Sequence, residues 1–122
     1  MSHISQYNQK ITDISILKSI CLTKSIPYQE GVHRREMFGT QTQEGIFSFT
    51  PESWEYPIVI DKNGNLNYDN FGSKKNSMAD LALIMQDYNV AVIEKNLDHS
   101  TFDHFRKTVD ENGDIIIELI TY

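Results

Sequence analysis

The stretch from Tyr56 to Phe71 constrains this chain most, because it allows few backbone paths. Ile58, Val59 and Ile60 are β-branched and suit a pleated strand held by neighbours, while Leu66, Tyr68 and Asn70 alternate with Asn67, Asp69 and Phe71. Asn63-Gly64 stands between the two runs. That dipeptide tolerates positive φ angles, so the spacing predicts an antiparallel hairpin closed by a tight turn. Pro57 fits a strand start or an edge, since it brings no amide to a ladder. A hairpin alone does not hold its shape in water, so the rest of the chain has to supply further strands and a covering layer.

The chain offers both. Ile4, Tyr7 and Ile11, scattered through His3 to Ile11, are compatible with a first strand. From Thr12 or Asp13, either a suitable N-cap, Ile14, Leu17, Ile20 and Cys21 recur at three- and four-residue steps up to Ser25, the spacing of an amphipathic helix. Pro27 disfavours helical geometry at Ile26, so the helix stops there and Tyr28 to Phe38 runs extended. Gly39 to Gly45 has the composition of an exposed turn, Ile46 to Phe49 alternates like a short strand, and Thr50 to Glu55 reads as loop.

After the hairpin, Ser73-Lys74-Lys75-Asn76 is a polar link. Ser77 with Asp80 three residues on forms a capping box for a long helix. Its apolar stripe is Met78, Leu81, Met85, Tyr88 and Val92, widened by Ile84 and Ala91, and it ends near Leu97. Phe102, Phe105 and Val109 fit either period. Asn112-Gly113 before Ile115-Ile116-Ile117-Glu118-Leu119-Ile120 settles them as the first arm of a second hairpin. Ile115, Ile117 and Leu119 then face the helices. This order predicts an α+β fold: a mainly antiparallel sheet with two hairpins, covered on one face by two helices.

A length of 122 residues fits a single α+β domain spanning residues 1–122. The net charge of −6 argues against a general attraction to nucleic acid or anionic lipid. One cysteine, Cys21, lies between Ile20 and Leu22 and reads as a core thiol in a reducing compartment. The N-terminal residues lack the basic and apolar regions of a secretion signal, and no apolar run approaches the roughly 20 residues a membrane span needs. Lys outnumbers Arg eight to three and Ile and Asn abound, a bias of AT-rich coding sources such as organelles, phages and low-GC bacteria.

Several positions resemble those of a family from cyanobacteria and algal plastids, the hypothetical chloroplast reading frame thirty-five family, a domain of unknown function. Met1-Ser2-His3-Ile4-Ser5, the Arg34 region, Tyr56, Asn63-Gly64, Asp69-Asn70-Phe71-Gly72 and Gln86-Asp87-Tyr88 carry the resemblance, which extends nearly end to end. Ile4 replaces an aromatic residue, and Asn70-Phe71 replaces a tryptophan pair, which weakens any surface built on those rings. The resemblance implies a plastid stroma or a bacterial or phage-host cytoplasm, and transfers no activity to particular residues.

Few clusters point to chemistry. Asp61-Lys62-Asn63-Gly64-Asn65 and Asp110-Glu111-Asn112-Gly113-Asp114 begin like calcium loops, but counting from Asp61 the sixth and twelfth places hold Leu66 and Gly72 where an EF-hand needs Gly and Glu. Hairpin turns account for both. Asp98-His99 and Asp103-His104 pair an acid with an imidazole; a metal-assisted hydrolase or nuclease would use His99, Asp103 and His104, with His3 and His33 as distant partners. The five-residue step does not align the two histidines on one helical face. His33-Arg34-Arg35 holds two of the three arginines, which grip carboxylates and phosphates through paired donors or simply blunt a strand edge. Trp54 suits either an interface anchor or a plug at the end of the core. Without a phosphate loop or a serine-nucleophile motif, and with no cofactor implied, the sequence favours a non-enzymatic accessory or adaptor domain. Its protein partner would meet Arg34, Arg35, Trp54 and Tyr56. Nucleic-acid binding through Arg34, Arg35, Lys74 and Lys75 is the other binding alternative.

Overall fold

The computed structural model describes residues 4–96, 104–109 and 112–120. The chain divides into two compact units, Met1–Tyr88 and Asn89–Tyr122.

The first unit is built on a five-stranded antiparallel sheet in the order β1-β5-β4-β3-β2. Its strands are β1 (Ser5–Lys10), β2 (Tyr28–Glu36), β3 (Thr42–Phe49), β4 (Ile58–Ile60) and β5 (Asn65–Tyr68). Between β1 and β2 runs α1 (Ile14–Lys24), and α2 (Ser77–Asn96) begins in this unit after β5. Sheet and helices together make an α+β fold. In the second unit β6 (His104–Val109) and β7 (Ile115–Ile120) pair from His104↔Ile120 to Val109↔Ile115, so the Asn112-Gly113 reversal closes a two-stranded sheet of its own. The expected inward facing of Ile115, Ile117 and Leu119 lies outside the described side chains.

Register explains the core. Glu30 pairs with Phe47, Phe47 with Ile60 and Ile60 with Leu66, and directly opposed residues share a sheet face. Phe47, Ile60 and Leu66 are fully buried, and Glu30, at the margin of this face, takes an ion pair from Lys18 of α1 at 2.9 Å. That contact puts α1 over the face. The helix starts at its Asp13 cap, whose carboxylate accepts from the Ile16 amide, and ends as Ser25 turns left-handed at φ 57 before Pro27. It buries Leu17 and Cys21. Lys24 pairs with Asp87 of α2 at 2.9 Å, and the Tyr88 hydroxyl accepts from the amides of Thr12 at 2.8 Å and Asp13 at 3.0 Å. The two helices therefore lie side by side, with Leu81, Ile84, Met85 and Tyr88 of α2 buried.

Three local expectations change. The β4–β5 connection is the four residues 61–64. The Gly64 amide returns to the Asp61 carbonyl at 3.0 Å, Gly64 has φ +85, and Asn63 is not left-handed. Only the glycine uses the positive φ that the dipeptide permits, the pattern of a type I turn followed by a left-handed glycine. The segment read as a turn from Gly39 to Gly45 is strand from Thr42 onward, with the reversal confined to residues 37–41 and closed by the Met37 amide on the Gln41 carbonyl. Gly45 belongs to the strand because nothing larger fits: a Cβ there would lie 2.4 Å from Val59 Cγ1 and 2.5 Å from the Ile60 oxygen. Finally, α2 begins at Ser77 itself, after Asn76 at φ 74.

Candidate functional site

Strand β2 forms one edge of the sheet and carries one residue too many for its partner. Glu30 pairs with Phe47 but His33 with Gly45, so Gly31-Val32 bulges, with Gly31 at φ +94. The extra residue aims the carbonyl of Gly31 at the ring two positions on: it accepts a hydrogen bond from His33 Nδ1. The other ring nitrogen, Nε2, lies 2.7 Å from Ser48 Oγ. Arg35 Nη1 donates to the same oxygen at 2.9 Å. His33 crosses to β3 opposite Gly45, which has no side chain to block it.

These contacts fix the protons. A carbonyl only accepts, so Nδ1 carries the hydrogen; a guanidinium only donates, so Ser48 Oγ accepts from Arg35. In the neutral ring Nε2 then takes the Ser48 hydroxyl hydrogen, so each contact along Arg35–Ser48–His33–Gly31 has one donor and one acceptor. Between these two residues, Arg34 points elsewhere. It bonds Glu44, its cross-strand partner, at 3.0 Å and the Thr42 hydroxyl at 3.1 Å, both exposed.

A serine hydroxyl on an imidazole that a third group orients is the arrangement of an activated nucleophile. Burial decides against that use. Ser48 is 0% exposed, so a substrate carbon has no approach to Oγ without parting β3 from its neighbours. The cluster instead serves to hold Arg35, half-buried, in one orientation. Among the described residues no carboxylate pairs with it.

Beyond the bulge, Val32 is 77% exposed and borders a groove of about 450 Å³. Glu44, Gly45, Ile46, Asp61 and Lys62 line it. Partial burial pushes the Asp61 carboxyl up, but hydrogen bonds from the Asn67 side chain and the Asn65 and Asn63 amides outweigh this and leave it below the usual range. Both Asp61 oxygens are thus engaged within the turn, Oδ1 by the amides of Asn63 and Asn65 and Oδ2 by Asn67 Nδ2. The loop is an Asx-capped reversal. Among the described residues no group of three His, Cys, Asp or Glu side chains can hold a metal.

The other residues singled out by sequence scatter. Trp54 is 5% exposed and its indole donates to the Ser77 carbonyl at 2.9 Å, with its ring edge-on to Tyr68. It fills the core and locks the start of α2, so the indole is not available as an interface anchor. Tyr56 is half-buried and packs edge-on against Phe38, which also contacts the half-exposed Phe71. Lys74 and Lys75 are exposed. His3, His99 and Asp103 and the side chain of His104 lie outside the described residues. Cys21 is buried, and that burial pushes its thiol up to about 11.

Sequence reasoning missed Ser48. The serine stands in an apolar strand 15 positions from His33, and the pairing of β2 with β3 brings the two together. The one available signal was Gly31, an isolated glycine in a strand pattern. Among the described residues no helix is long and apolar enough to cross a membrane. No family model, curated protein or solved structure matches the chain.

Proposed function

We propose that this chain is a non-enzymatic accessory domain that binds a protein partner along the β2 edge, in a reducing compartment such as a plastid stroma or a bacterial or phage-host cytoplasm. One observation carries the reading: the bulge leaves Val32 77% exposed at the rim of a groove, beside Arg34 and Arg35 on an open edge strand. Edge strands guarded by charge and a bulge resist indiscriminate strand addition, so a partner has to match the local apolar and basic pattern. Trp54, inside the core, has no part in this surface; Tyr56 is half-buried in the ring cluster with Phe38 and Phe71, just past the end of β2.

The test is affinity capture on the tagged full chain from a source lysate, run in parallel with Val32→Asp. The proposal expects a protein retained by the native chain and lost with Val32→Asp, while circular dichroism of the variant is unchanged. A protein retained equally by both, or none retained by either, overturns it.

A further inference from the structure

We propose that Arg35 is the recognition point for an oxyanion, a carboxylate contributed by the protein partner, and that the Gly31–His33–Ser48 relay exists to preset its guanidinium. This rests on the preceding reading and gives the partner a chemical character.

Three observations converge. First, a half-buried guanidinium costs solvation that an opposing charge offsets, yet among the described residues Arg35 has no carboxylate partner while its neighbour Arg34 has Glu44. Second, among the described residues the guanidinium's bond is to Ser48 Oγ at 2.9 Å, which uses one of five donors and restricts the fork without consuming it. Third, Ser48 is itself held: its hydroxyl is 2.7 Å from His33 Nε2, and His33 is held by the bulge carbonyl. A structural cation needs no such backing, whereas a receptor for a planar anion gains from a fork whose rotamer is settled before the ligand arrives. The −6 net charge disfavours the polyanionic surface of a nucleic acid, which leaves an isolated acidic side chain or a chain terminus as the fitting source.

The experiment follows the Arg35 Nε–H resonance of the 15N-labelled full chain, assigned by its absence in Arg35→Gln. Glutarate, inorganic phosphate and chloride are titrated at constant ionic strength. Glutarate is expected to give a saturable shift at Arg35 and at Ser48, chloride none. Arg35→Gln abolishes the saturable shift at Ser48, Arg35→Lys weakens binding about tenfold through loss of the paired donors, and Lys10→Gln on the opposite edge leaves it unchanged. Phosphate saturating where glutarate does not overturns the assignment to a carboxylate. No saturable response, or one that survives Arg35→Gln, overturns the site itself. Capture lost with Val32→Asp while glutarate fails to saturate leaves the docking edge standing and removes only this inference.

Discussion

Gly64→Ala probes the turn on which the first unit depends. Gly64 is left-handed at φ +85, a conformation that costs an L-residue roughly 1–2 kcal/mol. An added Cβ would also lie 2.4 Å from the Ile11 carbonyl oxygen, so backbone has to move. That movement disturbs the 2.8 Å bond from the Ile11 amide to the Gly64 carbonyl, which joins the hairpin to the approach of α1. Overpacking of this kind costs about 1–3 kcal/mol, and the strained bond about 1 kcal/mol more. The expected loss is about 3–6 kcal/mol, a large share of the roughly 5–15 kcal/mol of a typical domain. Asn63→Ala is the control. Asn63 is not left-handed, and its interaction with Asp61 is made by its backbone amide, so the loss is about 0.5 kcal/mol or less. Urea unfolding followed by circular dichroism measures both. Equal losses at the two positions would show that both residues are left-handed, as in a two-residue turn, and a loss below about 1 kcal/mol for Gly64→Ala would refute the clash argument.

Tyr88→Phe removes the acceptor shared by the Thr12 and Asp13 amides, with an expected loss of about 1–3 kcal/mol in urea unfolding and faster hydrogen exchange at those two amides. Trp54→Phe keeps most of the apolar volume but leaves the Ser77 carbonyl without its indole donor; a loss of about 1–2 kcal/mol is expected, read by thermal unfolding. Because burial raises the Cys21 thiol to about 11, its contribution to stability is full below its ordinary value near 9 and is lost as pH rises through about 11. The stability difference between the native chain and Cys21→Ala therefore narrows over that window. Asp61 runs the other way: its carboxyl is held low, so its contribution is present above the ordinary carboxylate range and is lost as pH falls through the folded value. Asp61→Asn flattens the acid limb of the stability profile.

Much of the framework was legible because it rests on local chemistry. Asp13 as cap, Pro27 as stop, and Ile58 to Ile60 as buried strand all act within a few residues of themselves, and the structure uses each in that way. Positions whose role depends on distant neighbours were not legible. Gly45 looks like a turn residue until Val59 and Ile60 close against it, and Asn63-Gly64 permits two turn types between which the strand pairing chooses. Trp54 offered a surface or a core role, and its Ser77 acceptor selects the core. The relay was hidden most deeply. Gln29 stands opposite Ser48, and the contacts of His33 and Arg35 with the serine are made across the β2–β3 pairing between residues far apart in the chain.

The most direct test of this account is the tautomer of His33, read from long-range 15N–1H correlations of the neutral ring at alkaline pH. The relay requires the hydrogen on Nδ1, donated to Gly31, with Nε2 shifted as an acceptor from Ser48 and restored toward a solvent value in Ser48→Ala. A ring protonated at Nε2, or one indifferent to Ser48→Ala, would mean that the bulge does not hold the serine and that Arg35 is not preset.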